Sequence, residues 1–321
     1  LIWSILVQMN DIQKKYRLLV VIINYKTPEL IEGALSSLES ELDFTKDKVV
    51  VVDNNSNDGS LEKINSFINT SGFNHWVEAI SSALNGGFSA GNNVGINAYD
   101  ADYYLLLNSD AYVRKGSIDK LISTMTSDNS IGIVGPRLEW ENGDKQESCF
   151  YKLTPFGEFL AGAETGIITK FFNLFGVKEV AQGGAIREEN PDWLSFACVL
   201  IRKEVFNVIG LMDEEYFMYF EDNDFCRRTL DNNFALRYQA QASVVHLNNG
   251  YSSAEHNRMP AYYHHSRSRY FKNNYGIIGL LLANILWSMG RLILILRQFI
   301  TLKKNRIPLV NLIDVWRGFW S

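Results

Sequence analysis

Residues 18–53 read LLVVIINYKTPELIEGALSSLESELDFTKDKVVVVD, and the changes of period inside this stretch decide the fold. Leu18–Asn24 is an unbroken apolar, mostly β-branched run, the pattern of a strand buried on both faces. Pro28 then stands near a first helical turn, where its missing N–H costs nothing, and the residues after it carry helical spacing. Lys48–Asp53 returns to a buried strand. Strand, helix and second apolar strand make one βαβ unit, and such units build parallel sheets covered on both faces.

The alternation continues. Leu61–Ile68, Ser89–Tyr99 and Ser117–Met125 have helical spacing, while Trp76–Ile80, Tyr103–Leu107 and Ile131–Gly135 read as strands. The pattern predicts an α/β chain with a mostly parallel sheet and a ligand site beyond the C-terminal strand ends. Three polar clusters follow that rule, each directly after an apolar run: Asn24-Tyr25, Asp53-Asn54-Asn55 and Asn108-Ser109-Asp110. Together they predict a shared cleft; taken singly, each also reads as a turn. Residues 140–190 are glycine-rich and end in the charged stretch Arg187–Asp192, so loops and short helices that move over a substrate are expected there. Trp193–Ile201 and Ala242–His246 read as further strands.

Composition narrows the function. Of 321 residues, 46% are apolar and 21% charged, which is globular rather than disordered, and one domain of about 250 residues with an appendage is the expectation. The net charge of −5 and the lack of a long basic block exclude bulk attraction to nucleic acid. Cys149, Cys198 and Cys226 are odd in number without CxxC spacing, which reads as reduced thiols in a cytosolic chain. The opening LIWSILVQMN lacks a basic n-region and a small-residue cleavage site, so it does not read as a signal peptide, and Met9 can serve as a start.

Several stretches carry candidate chemistry. Asp53 opens VDNNSNDGS, where a carboxylate can accept from a pyrimidine N–H or a ribose hydroxyl; the same residues can form an Asx turn that caps the next helix. Asn85–Asn93, NGGFSAGNN, has glycines that let backbone approach a ligand but neither a Walker ending nor a GxGxxG fingerprint; a turn before a helix is the other reading. Asp110 can bind a divalent cation that also grips a diphosphate, or cap a helix. In FMYFEDNDFCRR, residues 217–228, the acids Glu221, Asp222 and Asp224 suit the first turn of a helix, yet three beside an apolar run exceed what capping needs. A carboxylate among aromatic groups is raised toward a useful general base. His246 ends ASVVH, either as a structural residue or as a second metal ligand. Arg267 and Arg269 in YYHHSRSRYFKNNYG have forks that match diphosphate oxygens. Gly276–Ile300 is long and apolar, interrupted by Arg291 and Arg297 and followed by Lys303, Lys304 and Arg306. It reads as a helix lying in a membrane interface, or as a buried dimer helix.

Taken together, VVDNNSNDGS, NGGFSAGNNVGI, LLLNSD, FMYFEDNDFCRR and RSRYFKNNYG, in this order between Leu18 and Gly276, resemble the inverting glycosyltransferases of family 2, and within them the bacterial rhamnosyltransferases that use dTDP-L-rhamnose. The resemblance implies a GT-A nucleotide-diphospho-sugar transferase fold, Rossmann-like, with a mostly parallel central sheet flanked by helices and a C-terminal helical extension. It divides the chain into an N-terminal extension (1–17), a catalytic domain (18–255, with a nucleotide-binding half 18–135 and an acceptor half 136–255) and a helical segment (256–321) that associates with a membrane or dimerises. By the same resemblance Asn24, Asp53, Asn55, Asn85, Gly87, Phe88, Asn92, Asn108 and Ser109 bind the nucleotide-sugar, and Arg267 and Arg269 steady its diphosphate. Asp110 stands at the DXD motif and, with His246, holds Mg2+ or Mn2+. Asp222 is the base, with Glu221 beside it. The sequence departs from the motif at Asn108, an amide where the family has its first acid.

The implied reaction moves L-rhamnose from dTDP-L-rhamnose to a hydroxyl of a saccharide acceptor on a lipid diphosphate, by metal-assisted inverting displacement, at the cytoplasmic face of the inner membrane and in O-antigen or cell-wall polysaccharide assembly. The alternatives are a UDP-hexose or UDP-galactofuranose donor, or a non-catalytic sugar-nucleotide-binding protein. The implied partners are the donor, the acceptor, the membrane surface and a second copy of the chain, with no nucleic acid.

Overall fold

The first βαβ unit forms as its periods require. Strand β1 (Tyr16–Asn24) leads into helix α1 (Pro28–Leu38) and strand β2 (Asp47–Asp53), which lies parallel to β1. A computed structural model of the protein describes residues 15–164, 190–247, 259–300 and 310–319. The extension before residue 15, most of the glycine-rich charged stretch and the basic run after Ile300 lie outside the described residues. On β1 the side chains alternate between two cores. Leu18, Val20 and Ile22 pack with Ile31, Leu35 and Leu38 on one face, while Leu19 and Val21 pack with Ile96 and Leu106 on the other. This double burial is why the run carries no polar residue.

Helix α2 (Ser60–Thr70), strand β3 (Val77–Ser81), helix α3 (Gly87–Ile96), strand β4 (Ala101–Asn108), a three-residue strand β5 (Ala111–Val113), helix α4 (Ser117–Ser127) and strand β6 (Ile131–Glu139) follow. Two short strands, β7 (Cys149–Phe150) and β8 (Trp193–Leu194), pair with each other. Strand β9 (Cys198–Arg202) and the long β10 (Ala235–His246) complete the main sheet. Its eight strands run in the order β3-β2-β1-β4-β9-β6-β10-β5, mostly parallel, with β9 and β5 reversed.

Two strand expectations are corrected. Trp193–Ile201 is not one strand: Leu194 pairs with Cys149 in the small sheet, and the chain turns before Cys198 enters the main sheet. Phe196 and Ala197 at the corner are buried, so no polar residue marks it. β10 begins at Ala235 rather than Ala242, because its first half is half-exposed and polar and then shifts register between Gln239 and Ser243.

Register explains the cleft. Asn24 pairs with Asp53 across β1 and β2, and Ile23 pairs with Asn108 across β1 and β4, so the polar strand ends lie side by side. The chain then leaves β4 at the sheet centre and reaches the far edge, where β5 pairs antiparallel with β10 and Ala111 stands opposite His246.

Helix α5 (Pro155–Ala163), helix α6 (Lys203–Ile209) and helix α7 (Glu221–Asp231) precede a long helix α8 (Ala261–Ile300), kinked at Gly276, and α9 (Val310–Arg317). The second limb of α8 crosses α5 at Gly162 and Gly290. A side chain on Gly290 would collide with the backbone of Phe159 and Ala163, and one on Gly162 with that of Trp287. Away from α5, α8 leaves Ile278, Leu281, Ile285, Met289, Leu292, Leu296 and Phe299 exposed. Their three–four spacing places them on one face. The helix is long and apolar enough to cross a membrane, by length and composition.

Candidate active site

The loops after β1, β2, β3 and β4 and the loop before α7 enclose a cavity of about 320 Å³. Tyr25, Thr27, Asn54, Asn85, Gly87, Phe88, Asn108, Ser109, Asp110, Phe217, Met218 and Tyr262 all lie along its wall. Aromatic faces make one side and amides, hydroxyls and a carboxylate the other, the composition of a site for a polar ligand with a flat or apolar part.

Beneath the cavity, Asn24 and Asp53 serve each other. Asn24 Nδ2 donates to Asp53 Oδ1 (2.7 Å), and Ser56 donates to both Asp53 oxygens, through its Oγ (2.6 Å) and its backbone N–H (3.1 Å). The Asn24 side-chain oxygen accepts from the Thr27 N–H (3.2 Å). Both residues are buried and lie under the wall rather than in it. Asn55, at φ 57°, accepts from Asn57 (2.9 Å) and is likewise not in the wall. Asn92 donates to the Phe88 carbonyl (3.0 Å) inside α3.

The NGG loop is clamped to the FMYF loop. Asn54 donates to Asn85 Oδ1 (3.0 Å) and to the Gly87 carbonyl (2.9 Å), and the Phe88 N–H donates to the Phe217 carbonyl (2.7 Å). Gly87 has φ +84°, and a Cβ there would overlap the Phe217 carbonyl group, so only glycine fits. Asn93, which sequence reasoning passed over, pins the same region from the other end of α3: it donates to the Met212 carbonyl and to Glu214 (2.9 Å each). Tyr219 and Phe220 both take positive φ (70° and 66°), a strained corner that delivers the chain into α7.

That corner sets up the acids. Glu221 is buried with Oε2 unpartnered, and burial together with the neighbouring Asp222 charge pushes its carboxyl well above the ordinary range. Burial also pushes Asp222 up, to about 6, against the pull of the Asn223 backbone N–H (2.8 Å) and side-chain amide (3.0 Å), both donating to Oδ1. Burial thus favours the neutral form of Glu221 and makes Asp222 a stronger base than an exposed aspartate. Asp224 is instead tied to Arg228 (2.7 Å).

Asp110, in the cavity wall, and His246, 136 positions apart in sequence and outside the wall, meet with Oδ1 and Nε2 3.5 Å apart. The pairing of β5 with β10 brings them together, and the Leu247 N–H donates to the Asp110 carbonyl (3.0 Å). Burial lowers the His246 pKa although Asp110 opposes this, which favours the neutral ring. Gln146 Nε2 donates to the His246 carbonyl (2.6 Å), which only accepts; Gln146 Oε1 therefore faces Nδ1 (3.2 Å), and Nδ1 must carry the proton. Nε2 then points a lone pair at a carboxylate oxygen. Two acceptors face to face fit a shared cation, and one nitrogen plus one oxygen suit Mn2+ or Mg2+. Among the described residues no group of three His, Cys, Asp or Glu could hold a metal.

The two arginines are a correction. Arg267 is buried, ion-paired with Glu158, bonded to Asn284 (2.6 Å) and set over the Phe271 ring; it ties α8 to α5. Arg269 grips Asp213 through Nε (2.9 Å) and Nη2 (2.8 Å). Neither lines the cavity, because each fork is already met by a carboxylate.

Known proteins resemble the chain in sequence and in fold. The model of "Glycosyl transferase family 2" matches residues 19–170. The hexosyltransferase Agl10 of low-salt glycan biosynthesis in Haloferax volcanii is 27% identical over 237 residues, 71% of this chain and 66% of that protein. The N-acetylglucosaminyl-diphospho-decaprenol L-rhamnosyltransferase of Mycobacterium tuberculosis is 25% identical over 71% of this chain and 75% of its own. The dTDP-rhamnosyl transferase RfbF of Shigella flexneri is 26% identical over 70% and 67%. The chain thus spans about two thirds to three quarters of these relatives. In fold it is similar to the mannosyltransferase PcManGT of Pyrobaculum calidifontis, solved with GDP-Man and Mn2+ (TM-score 0.56, 13% identity, 98% of this chain and 86% of that one), a GT-A glycosyltransferase. Residues 19–170 thus form a glycosyl transferase family 2 domain, and the chain's similarity to hexosyl- and rhamnosyltransferases marks it as a transferase enzyme.

Proposed function

We propose that the chain transfers L-rhamnose from dTDP-L-rhamnose to a hydroxyl of a saccharide held on a lipid diphosphate, with inversion at the anomeric carbon. The observation that carries this reading is the meeting of two facing acceptors, Asp110 Oδ1 in the cavity wall and His246 Nε2 at 3.5 Å, together with the raised carboxyl of Asp222, which follows the wall residues Phe217 and Met218 at the start of α7. Two of the relatives named above are rhamnosyltransferases, one of them for a diphospho-decaprenol acceptor, which supports the choice of donor and acceptor.

The cavity wall binds the donor. Phe88, Tyr25 and Tyr262 offer faces for the base and sugar, Asn54 and Asn85 offer amides, and Asn108 and Ser109 reach the diphosphate side. Asp110 and His246 would hold a divalent cation, which would supply charge neutralisation at the leaving diphosphate. Asp222, with Oδ1 held by Asn223, takes the proton of the acceptor hydroxyl through Oδ2. The acceptor oxygen bonds to the anomeric carbon from the face opposite the leaving group as the bond to the diphosphate breaks, and configuration inverts. The raised carboxyl of Glu221 favours its proton, which limits a second negative charge beside Asp222. The apolar face of α8 lies on the cytoplasmic face of the inner membrane, where a lipid-linked acceptor is presented.

Agl10 is a hexosyltransferase, which favours a UDP-hexose as the second reading. The test incubates the purified chain and Mn2+ with dTDP-L-rhamnose, UDP-glucose, UDP-galactose, UDP-galactofuranose and UDP-N-acetylglucosamine. It measures release of nucleoside diphosphate and the anomeric configuration of the product by NMR. Release from dTDP-L-rhamnose with inversion is expected; release only from a UDP-sugar replaces the donor, and retention overturns the mechanism.

A further inference from the structure

The hairpin after β6 presents Gln146 to the site from a position that none of the family motifs covers. Its turn is built on Asn142-Gly143, with Gly143 at φ +85°, and the Gly143 N–H donates to the Trp140 carbonyl (2.9 Å). Glu139 bridges to Lys145, and the Gln146 N–H donates to the Leu138 carbonyl (2.8 Å), which fixes Gln146 beside the end of β10. From there one side chain holds one residue twice, through the His246 backbone carbonyl (2.6 Å) and ring Nδ1 (3.2 Å).

We infer that Gln146 is a positioning residue that locks His246 as its Nδ1–H tautomer and aims the bare Nε2 at Asp110. The backbone carbonyl decides which end of the amide is which: it can accept only from Nε2, so Oε1 is left for the ring. Without that acceptor a neutral imidazole gains by placing its proton on Nε2, where the Asp110 carboxylate can accept it. A proton there blocks the nitrogen as a ligand. The amide thus holds the pair in an arrangement that the pair alone disfavours. The second half of this inference, cation binding at Nε2, rests on the proposed role of His246; the first half, the tautomer, does not.

The test separates them. Protein with 15N-labelled histidine is studied metal-free by long-range 1H–15N correlation, with His246→Asn identifying the signal among the five histidines. The wild type is expected as Nδ1–H. Gln146→Met, which keeps length but no acceptor, is expected to move toward Nε2–H and to weaken Mn2+ binding, read by EPR on the free ion, roughly ten- to a hundredfold. Gln146→Glu keeps an acceptor for Nδ1–H and is expected to restore the tautomer; thermal unfolding of both variants establishes that they fold. An unchanged Nδ1–H signal in Gln146→Met overturns the inference. A shifted tautomer with unchanged Mn2+ affinity overturns its second half. A wild type that shows the Nδ1–H tautomer but binds no Mn2+ leaves the lock standing and removes His246 from the proposed metal site.

Discussion

Replacing Asp222 with asparagine separates what this carboxylate does for chemistry from what it costs the fold. The carboxyl titrates near 6 in the folded chain, against an ordinary value of 3.8, with burial as the leading cause. The folded state therefore binds this proton more tightly than the unfolded state. The group favours folding below pH 3.8, and that contribution is lost as pH rises from 3.8 to 6. Above pH 6 the penalty reaches at most about 3 kcal/mol, and at pH 5 about half of that. The substituted amide would keep an oxygen for the two Asn223 donors and carry no charge. The expectation is a protein that melts a few degrees higher at pH 7.5, a gap that narrows at pH 5, with turnover lower by about 10²–10⁴-fold. Wild-type kcat/KM should fall on the acid side of pH 6, to roughly a tenth of its plateau at pH 5. Scanning fluorimetry at both pH values and a pH–rate profile on lipid-linked acceptor read all three. A variant that retains turnover within tenfold refutes the base assignment; one that melts lower at pH 7.5 refutes the burial argument behind it.

Four further outcomes test the surrounding structure. Gly87→Ala should cost about 1–3 kcal/mol for its left-handed backbone and raise donor KM, because the Phe217 carbonyl must move; unaltered melting and KM would contradict the clamp. Asp110→Ala should raise the Mn2+ concentration needed for half-maximal activity at least tenfold, and an unchanged requirement removes it as a ligand. Arg267→Met should destabilise by about 3–5 kcal/mol by leaving Glu158 buried without its partner, whereas Arg269→Met should leave donor KM within about threefold; a tenfold KM rise for Arg269→Met would return that arginine to the diphosphate. Leu292→Glu with Leu296→Glu should abolish co-sedimentation with vesicles containing phosphatidylglycerol and preserve activity on a soluble acceptor; undiminished vesicle binding rules out this face as the membrane contact.

What the sequence disclosed and what it withheld divide along a physical line. Runs buried on both faces, such as Leu18–Ile22 and Val49–Val52, are legible because burial forbids polar residues, and strand ends are legible because polarity returns abruptly at Asn24, Asp53 and Asn108. Strand order is not written in periodicity, so the reversed insertion of β9 between β4 and β6 left no mark. Nor did β5, whose three residues are too few for a period, although its pairing with β10 is what brings His246 to Asp110. The arginines show a different limit. A guanidinium fork fits a carboxylate as well as it fits a diphosphate. The residue type therefore names a class of partner, and only burial chooses within it. Arg267 is 2% exposed, and no side chain so enclosed keeps an unpaired charge. Its partner had to be internal, and Glu158 on α5 is the acid within reach. Asp110 shows what strand pairing adds. It is 3% exposed, and β5 and β10 set beside it a histidine whose Nδ1 faces Gln146 and whose Nε2 lies 3.5 Å from Oδ1. A carboxylate oxygen and a ring nitrogen so placed can share a cation, and that capacity follows from where β5 and β10 set these two residues rather than from either residue's identity.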